Sequence, residues 1–328
     1  MSEVTQVRRK IIAGAPEGVD ALVLAEKARQ NAHGHLHIVS DDMRLSSLMD
    51  SLRFFAPDVT VLAFPAWDCV PYDLVSPHAD VVARRMDVLL RLAAVGAEAE
   101  AGPRLLITTA SAILQRVPPL SAFRGMVREI KPGSRLNTDE LAMDLGRTGY
   151  QRAEQVMEPG EFAIRGGLID LYPPGHEDPV RIDLFGDEVE TLRSFDPVDQ
   201  RTTGKIASLR LKPMSEVILS KDAIERFRTG YRELFGAVSS ADLLYDSVSN
   251  GQTFPGFEHW LPLFHAGLDT LFAYLPDSGL SLDHQVEDAI AARLDLVRDY
   301  YESRRMADPS SGGAKLGLDE GGAVYHPI

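Results

Sequence analysis

Two arginines and one phenylalanine stand out in residues 160–196, GEFAIRGGLIDLYPPGHEDPVRIDLFGDEVETLRSFD, because of where they would lie on strands. Side chains alternate along a strand, so Arg181 and Phe185 share the face of VRIDLF opposite its isoleucine and leucine. In EFAIRGG the same alternation sets Arg165 opposite the apolar side chains. An aromatic ring flanked by guanidinium groups is typical of a protein-binding hot spot. Alternatively, Phe185 packs under a neighbouring loop and the arginines form ordinary surface ion pairs.

A second candidate for chemistry is AGAPEGVDALVLAEKA, which we place where a strand enters a helix, the position of a phosphate loop. That motif needs GxxxxGK[ST]. Here Gly14 and Gly18 are too close together, and no Lys-Ser/Thr pair follows them. Pro16 removes a backbone donor, and Glu17 would repel a phosphate. The segment therefore favours a plain loop and helix start, and we expect no cofactor in this chain.

Three histidines, His33, His35 and His37, alternate in HGHLH and would share one face of a strand, where they could hold a metal ion. The alternative, which we prefer, is a set of partly exposed histidines at a strand edge. We therefore predict no metal site.

Three aromatic residues, Phe64, Trp67 and Tyr72, cluster around two prolines in FPAWDCVPYD. Such a cluster could stack nucleic-acid bases, although a rigid loop packed on a sheet edge is the preferred interpretation. The chain contains no GxSxG, HExxH or CxxC motif, and no complete catalytic constellation is present. We therefore expect no enzymatic activity from this chain.

The composition narrows the class of protein. The 328 residues carry a formal net charge of -14, so the chain as a whole gains little from counterion release on nucleic acid. Cys69 is the only cysteine, which excludes an intrachain disulfide. The first residues lack a signal-peptide core, and no run of about 18 apolar residues occurs. We expect a cytoplasmic protein without a membrane partner.

The elements that must position these residues fall into four ranges. Residues 1–120 alternate helices with the strands HLHIVS and VTVLAF, which predicts an α/β domain with a parallel sheet. Residues 121–212 are β-rich and contain one helix, TDELAMDLGRTGY, and Gly186-Asp187 fits a two-residue hairpin turn. Residues 213–310 are mostly helical, with one strand in GLDTLFAYLP. Residues 311–328 are Gly-rich and predict a flexible tail.

Long blocks of the chain resemble a known family. They are FPAWDCVPYDLVSPHADVVARRMDVLLRLA, ITTASAILQRVPP and GEFAIRGGLIDLYPPG…RIDLFGDEVETLRSFDPVDQRT, within residues 60–205. Together they resemble the N-terminal region of the bacterial transcription-repair coupling factors, the Mfd family, and more loosely the excision-repair protein UvrB. The resemblance implies an α/β fold: a UvrB-like, degenerate P-loop (RecA-like) parallel-sheet domain with an inserted small α+β domain. In this interpretation residues 1–120 and 213–310 are the two parts of the UvrB-like domain, and residues 121–212 are inserted between them.

Two departures separate the chain from UvrB. The phosphate loop is degraded, and only about thirty residues separate Tyr72 from LLITTASA, too few for the DNA-gripping hairpin of UvrB. Both departures match the coupling factors, in which this module is not an ATPase. ATP and Mg belong to the translocase part of that family, and no GK[ST] or DExx box with helicase context occurs here. We therefore expect an N-terminal fragment, or a protein reduced to that module.

The resemblance also implies the partners. In the family the small inserted domain binds UvrA, and the residues that carry this contact match Arg165, Arg181 and Phe185. The full-length family also binds RNA polymerase and double-stranded DNA. We therefore expect a module that recruits UvrA to stalled transcription and links it to nucleotide excision repair. The alternatives are a UvrB-type ATP-dependent DNA-repair enzyme and a DNA-binding module.

Overall fold

A computed structural model describes residues 10–306 except 15, 17, 71–74, 95–101 and 239–241. The first part contains α1 (Val19–Gln30), β1 (His35–Val39), α2 (Asp42–Phe55), β2 (Thr60–Phe64), α3 (Ala79–Ala93), β3 (Arg104–Thr109) and α4 (Ala110–Leu114). Local caps set several helix starts. The Asp41 carboxylate, for example, accepts the backbone N–H of Arg44 at 2.8 Å at the start of α2.

The middle part is β-rich, as the sequence predicts. It contains β4 (Arg128–Ile130), α5 (Thr138–Arg147), β5 (Gln151–Arg152), β6 (Glu161–Arg165), β7 (Leu168–Leu171), β8 (Val180–Phe185), β9 (Glu188–Phe195), β10 (Thr202–Lys205) and β11 (Leu209–Leu211). Six of these strands form one sheet in the order β10-β9-β8-β7-β6-β5, and β4 pairs with β11. The helix α5 packs its buried leucines against one face of the six-stranded sheet.

The last part is mostly helical. It contains α6 (Lys221–Phe235), α7 (Leu243–Ser249), α8 (Leu261–Phe264), the strand β12 (Gly279–Leu282) and α9 (Val286–Met306), with short 3-10 helices at Phe257–Trp260 and Leu271–Tyr274. The predicted strand in GLDTLFAYLP is wrong, because Leu271–Tyr274 is a 3-10 helix. Its i,i+3 spacing buries both end residues on one side, and the Tyr274 hydroxyl donates to the Pro118 carbonyl at 2.7 Å.

The strand β12 joins the first part of the chain in one sheet. The order is β12-β1-β3-β2, and all neighbours are parallel. Adjacent residues of β3 serve the two faces: Leu106 packs with α3 and α4, whereas Leu105 and Ile107 pack with α1 and α2. The predicted α/β class with a parallel sheet is thus confirmed.

Two expectations lie partly or wholly outside this description. Residues 10–14 are not in a strand, so among the described residues no strand enters the Gly14–Gly18 segment, and the P-loop ancestry stays a prediction. The predicted tail, 311–328, lies outside the described residues.

Among the helices that the structure describes, none is both long and apolar enough to cross a membrane.

Candidate protein-docking site

The predicted faces of β6 and β8 agree with the structure. Antiparallel pairing sets Ala163 beside Asp170, Asp170 beside Arg181, and Arg165 beside Leu168. The alternate residues of these strands, such as Ile169 and Ile182, are buried against α5. We call the side of the sheet opposite α5 the outer face. It carries Arg165, Asp170 and Arg181.

Asp170 is the centre of the outer face. Its carboxylate is only 1% exposed, and it accepts hydrogen bonds from two guanidinium groups. Arg181 donates from Nε to Oδ1 at 2.7 Å and from Nη2 to Oδ2 at 2.9 Å, a bidentate pair. Arg165 donates from Nη2 to Oδ2 at 2.7 Å. One buried carboxylate therefore holds both predicted arginines.

The two arginines differ in their exposure. The Arg181 side chain is only 16% exposed, and its guanidinium carbon lies 4.6 Å from the centre of the Phe195 ring. Its hydrogen bonds to Asp170 raise the pKa of Arg181 above its ordinary value. The Arg165 side chain is 52% exposed. Of the two arginines of the predicted hot spot, only Arg165 is therefore open to solvent.

Phe185 lies at the tip of the hairpin between β8 and β9 and is 81% exposed. The two-residue turn is as predicted: Gly186 has φ +65, a conformation that glycine adopts without strain. A neighbouring loop supports the tip, because Leu136 N donates to the Asp187 carbonyl at 2.7 Å. The ring is therefore presented on a braced turn and is not packed under that loop.

A second carboxylate on the outer face has its own partners. Asp183 accepts from Arg193 Nε at 2.9 Å and Nη2 at 2.7 Å, and from the Thr191 hydroxyl. Arg193 pairs across the sheet with Arg181 on one side and Lys205 on the other. With Arg165, the outer face carries four cations, and strand alternation and pairing place four carboxylates with them, those of Asp170, Asp183, Glu161 and Glu188.

The other candidate sites have structural roles in the described residues. His35 and His37 lie on β1, and each has a ring nitrogen 2.8 Å from the Ser281 hydroxyl of β12. Both histidines are buried, so the preferred interpretation of partly exposed edge residues is wrong for them, because β12 covers β1. His33 precedes the strand and is exposed. Among the described residues no group of three or more His, Cys, Asp or Glu could hold a metal ion.

The described part of the aromatic segment lies inside the protein. Phe64 and Trp67 are buried, which leaves neither ring accessible to a base, so the stacking platform is wrong for these two residues. The guanidinium carbon of Arg85 lies 4.3 Å from the Phe64 ring centre, and Arg85 pairs with Glu216 in the interior. Tyr72 lies outside the described residues.

Comparison with known proteins identifies the chain. Residues 129–216, the range that contains the outer face, match the UvrB interaction domain. The transcription-repair-coupling factor of Haemophilus influenzae is 35% identical over 305 residues, which cover 92% of this chain and 26% of that protein. The protein of that name from Escherichia coli K12 is 37% identical over 261 residues, 79% of this chain and 22% of the relative. The Bacillus subtilis protein is 27% identical over 338 residues, 98% of this chain and 27% of the relative.

The chain belongs to the transcription-repair-coupling factor family. Its resemblance to the N-terminal module of that family, inferred from the sequence, is thereby confirmed. The chain spans about a quarter of the length of the curated relatives that it matches.

Two residues of this coupling-factor module were missed by the sequence reasoning. Asp170 holds the arginines, and Leu168, 37% exposed, lies between Arg165 and Asp183 on the outer face. The alternation that places Arg165 and Arg181 could have found both, because LIDL places its first leucine and its aspartate on the same face. Which residues Asp170 meets on the neighbouring strands depends on the strand register, which the sequence does not give.

Proposed function

We propose that the chain is the UvrA-recruiting module of a transcription-repair coupling factor, linking stalled RNA polymerase to nucleotide excision repair. One observation carries the proposal: Phe185 is 81% exposed on a braced hairpin tip of the sheet that also carries Arg165, within the range that matches the UvrB interaction domain. An aromatic side chain this exposed on an ordered turn has no role in the core, and it suits a partner's pocket.

The outer face favours an acidic partner surface. Arg165 keeps about half of its side chain exposed, so its guanidinium can form a charge-assisted hydrogen bond with a carboxylate on UvrA. Phe185 supplies the apolar anchor, and burying such a ring contributes about 1.5–3 kcal/mol. Leu168 extends the apolar contact. The affinity is expected to fall as salt rises, because guanidinium–carboxylate attraction across an interface is screened.

The proposed module acts without catalysis. Its Gly14–Gly18 segment lacks the lysine and hydroxyl that a phosphate loop needs. In this proposal ATP, Mg, RNA polymerase and double-stranded DNA are bound by other parts of the longer family proteins. A thermal-shift titration with ATP and Mg tests this point: we expect no change in melting temperature, and a clear rise would favour the UvrB-type enzyme.

The proposal is tested by titrating the chain with purified UvrA in a calorimeter. Phe185→Ala and Arg165→Ala are each expected to weaken binding by about 1–3 kcal/mol, the range of a hot spot. Met143→Ala is the matched control, because Met143 is an exposed apolar residue of α5, the helix that covers the opposite face of the sheet. It is expected to leave the affinity unchanged. Failure of the unmodified chain to bind UvrA, or equal affinities of the Phe185 and Met143 variants, would overturn the proposal.

A further inference from the structure

We propose that Asp170 is a positioning residue of the docking site: it fixes the Arg165 guanidinium in its binding geometry without touching the partner itself. This inference rests on the proposed function, and it assigns different roles to the outer-face residues. It begins from an unusual arrangement, in which a carboxylate that is 1% exposed lies directly beneath a surface offered to a partner.

The contacts show how the positioning would act. Arg181 uses Nε and Nη2 on Asp170, and its Nη1 lies 3.4 Å from the Gln200 carbonyl, so most of its donors are engaged inside the protein. Arg165 places one nitrogen, Nη2, on the same carboxylate. The rest of its guanidinium stays available on the surface, since the side chain is 52% exposed.

An anchored arginine binds better than a free one for an entropic reason. A long side chain that is mobile before binding loses rotamer freedom when it is ordered at an interface. The hydrogen bond to Asp170 restricts Arg165 before the partner arrives, so less freedom is lost on association. Arg181 serves the same end, because its bidentate pair fixes the plane of the Asp170 carboxylate.

The sign of one substitution separates positioning from simple charge. Asp170→Asn removes a negative charge from a face that attracts an acidic partner. If only the net charge of the outer face mattered, this variant would bind UvrA as tightly as the unmodified chain or more tightly. If Asp170 positions Arg165, the variant binds more weakly despite its more favourable charge.

The experiment measures association and dissociation rates of UvrA on the immobilised chain. Asp170→Asn is expected to weaken binding by about ten-fold or more, mainly through faster dissociation, as for other disrupted hydrogen-bonded charge pairs. Asp144→Asn is the charge control: it removes one carboxylate from α5, on the opposite side of the sheet, where the Asp144 side chain is 62% exposed. It is expected to change the affinity by about two-fold at most. Equal or tighter binding of Asp170→Asn would overturn the inference.

Two further variants keep the test decisive if Asp170→Asn folds poorly. Arg165→Lys retains the charge on a surface residue, but an ammonium cannot bridge Asp170 and a partner with the planar geometry of a guanidinium. Positioning predicts that it loses nearly as much affinity as Arg165→Ala, whereas a pure charge effect predicts retained affinity, which would refute the inference. In the Arg165→Ala background, Asp170→Asn is expected to cause little further loss, and full additivity of the two losses would also refute it.

These outcomes are distinct from failure of the proposed function. If the unmodified chain does not bind UvrA, the proposed function is wrong. If it binds and depends on Phe185, but Asp170→Asn and Arg165→Lys bind normally, only the positioning role is wrong.

Discussion

The ion pair between Arg85 and Glu216 allows the sharpest test of how the end of the range that matches the UvrB interaction domain is attached to α3. Arg85 lies on α3, and Glu216 is the last residue of the range that matches the UvrB interaction domain. Both side chains are fully enclosed, with Arg85 Nε 2.6 Å from Glu216 Oε1. Arg85 Nη1 also donates to the Pro65 carbonyl and to Gln115 Oε1, each at 2.9 Å.

The expected loss follows from this enclosure. Glu216→Gln keeps the shape of the side chain and removes its charge, so Arg85 becomes a buried cation without a counter-ion. Breaking a buried pair in this way lowers the free energy of unfolding by about 3–5 kcal/mol. Arg85→Met combined with Glu216→Gln removes the unpaired cation as well. The double variant is therefore expected to lose about 1–3 kcal/mol less than the sum of the two single variants.

The assay is urea unfolding followed by tryptophan fluorescence and circular dichroism. The chain has two tryptophans, both buried, and Trp67 Nε1 lies 3.2 Å from Glu216 Oε1, so it reports on the pair directly. The exposed pair Arg29–Asp58 provides the control, because Asp58→Asn breaks a bidentate surface contact and is expected to leave the midpoint nearly unchanged. A loss below about 1 kcal/mol for Glu216→Gln, or strict additivity in the double variant, would refute the reasoning.

Three further predictions concern other residues. Burial lowers the pKa of His35 to about 4. The neutral histidine therefore contributes about 3 kcal/mol to the free energy of unfolding above pH 6.5, and this contribution is lost as the pH falls towards 4. His35→Gln is expected to flatten the acid limb of a stability–pH curve. Burial raises the pKa of Glu258 to about 7, so stability is expected to fall as the pH rises from 4.5 through 7, and Glu258→Gln to remove that slope in the same measurement. Gly149 has φ +95, and an added Cβ would lie 2.5 Å from Ser215 Cβ, so Gly149→Ala is expected to lower the free energy of unfolding in urea by about 2 kcal/mol or more. Gly146 lies on α5 with open space around it, so Gly146→Ala is expected to raise the same free energy by about 0.5–1 kcal/mol.

Local patterns predicted the faces of the docking site well. The alternation in β6 and β8 depends on consecutive residues only, so it placed Arg165 and Phe185 correctly without knowledge of the neighbouring strands. The two-residue turn at Gly186 was equally local. What alternation cannot supply is the pairing of strands. The position of Asp170 between the arginines depends on the register of three strands, and it decides that Arg181 is mostly covered.

Burial set by distant parts of the chain accounts for the errors. His35 and His37 are enclosed by Ser281 and its strand, which lie more than two hundred residues away along the chain. Trp67 is covered in the same way by the segment that contains Glu216. In both cases the local sequence shows polar or aromatic residues beside a strand, and only the tertiary arrangement decides whether a partner molecule can reach them.

The two arginine–carboxylate centres show that degree of enclosure, and not residue type, separates attachment from docking. At Arg85 and Glu216 every charged group is inside, so the pair can act on stability and on the attachment of the Glu216 segment to α3, but it has no surface to offer a partner. At Asp170 the carboxylate is inside while Arg165 is half outside, so the same chemistry holds a guanidinium ready for binding. Glu216→Gln is therefore expected to lower stability while the folded fraction keeps its affinity for UvrA. Asp170→Asn is expected to lower the affinity of the folded protein itself, and a Glu216 variant that lost affinity without losing stability would contradict this division of roles.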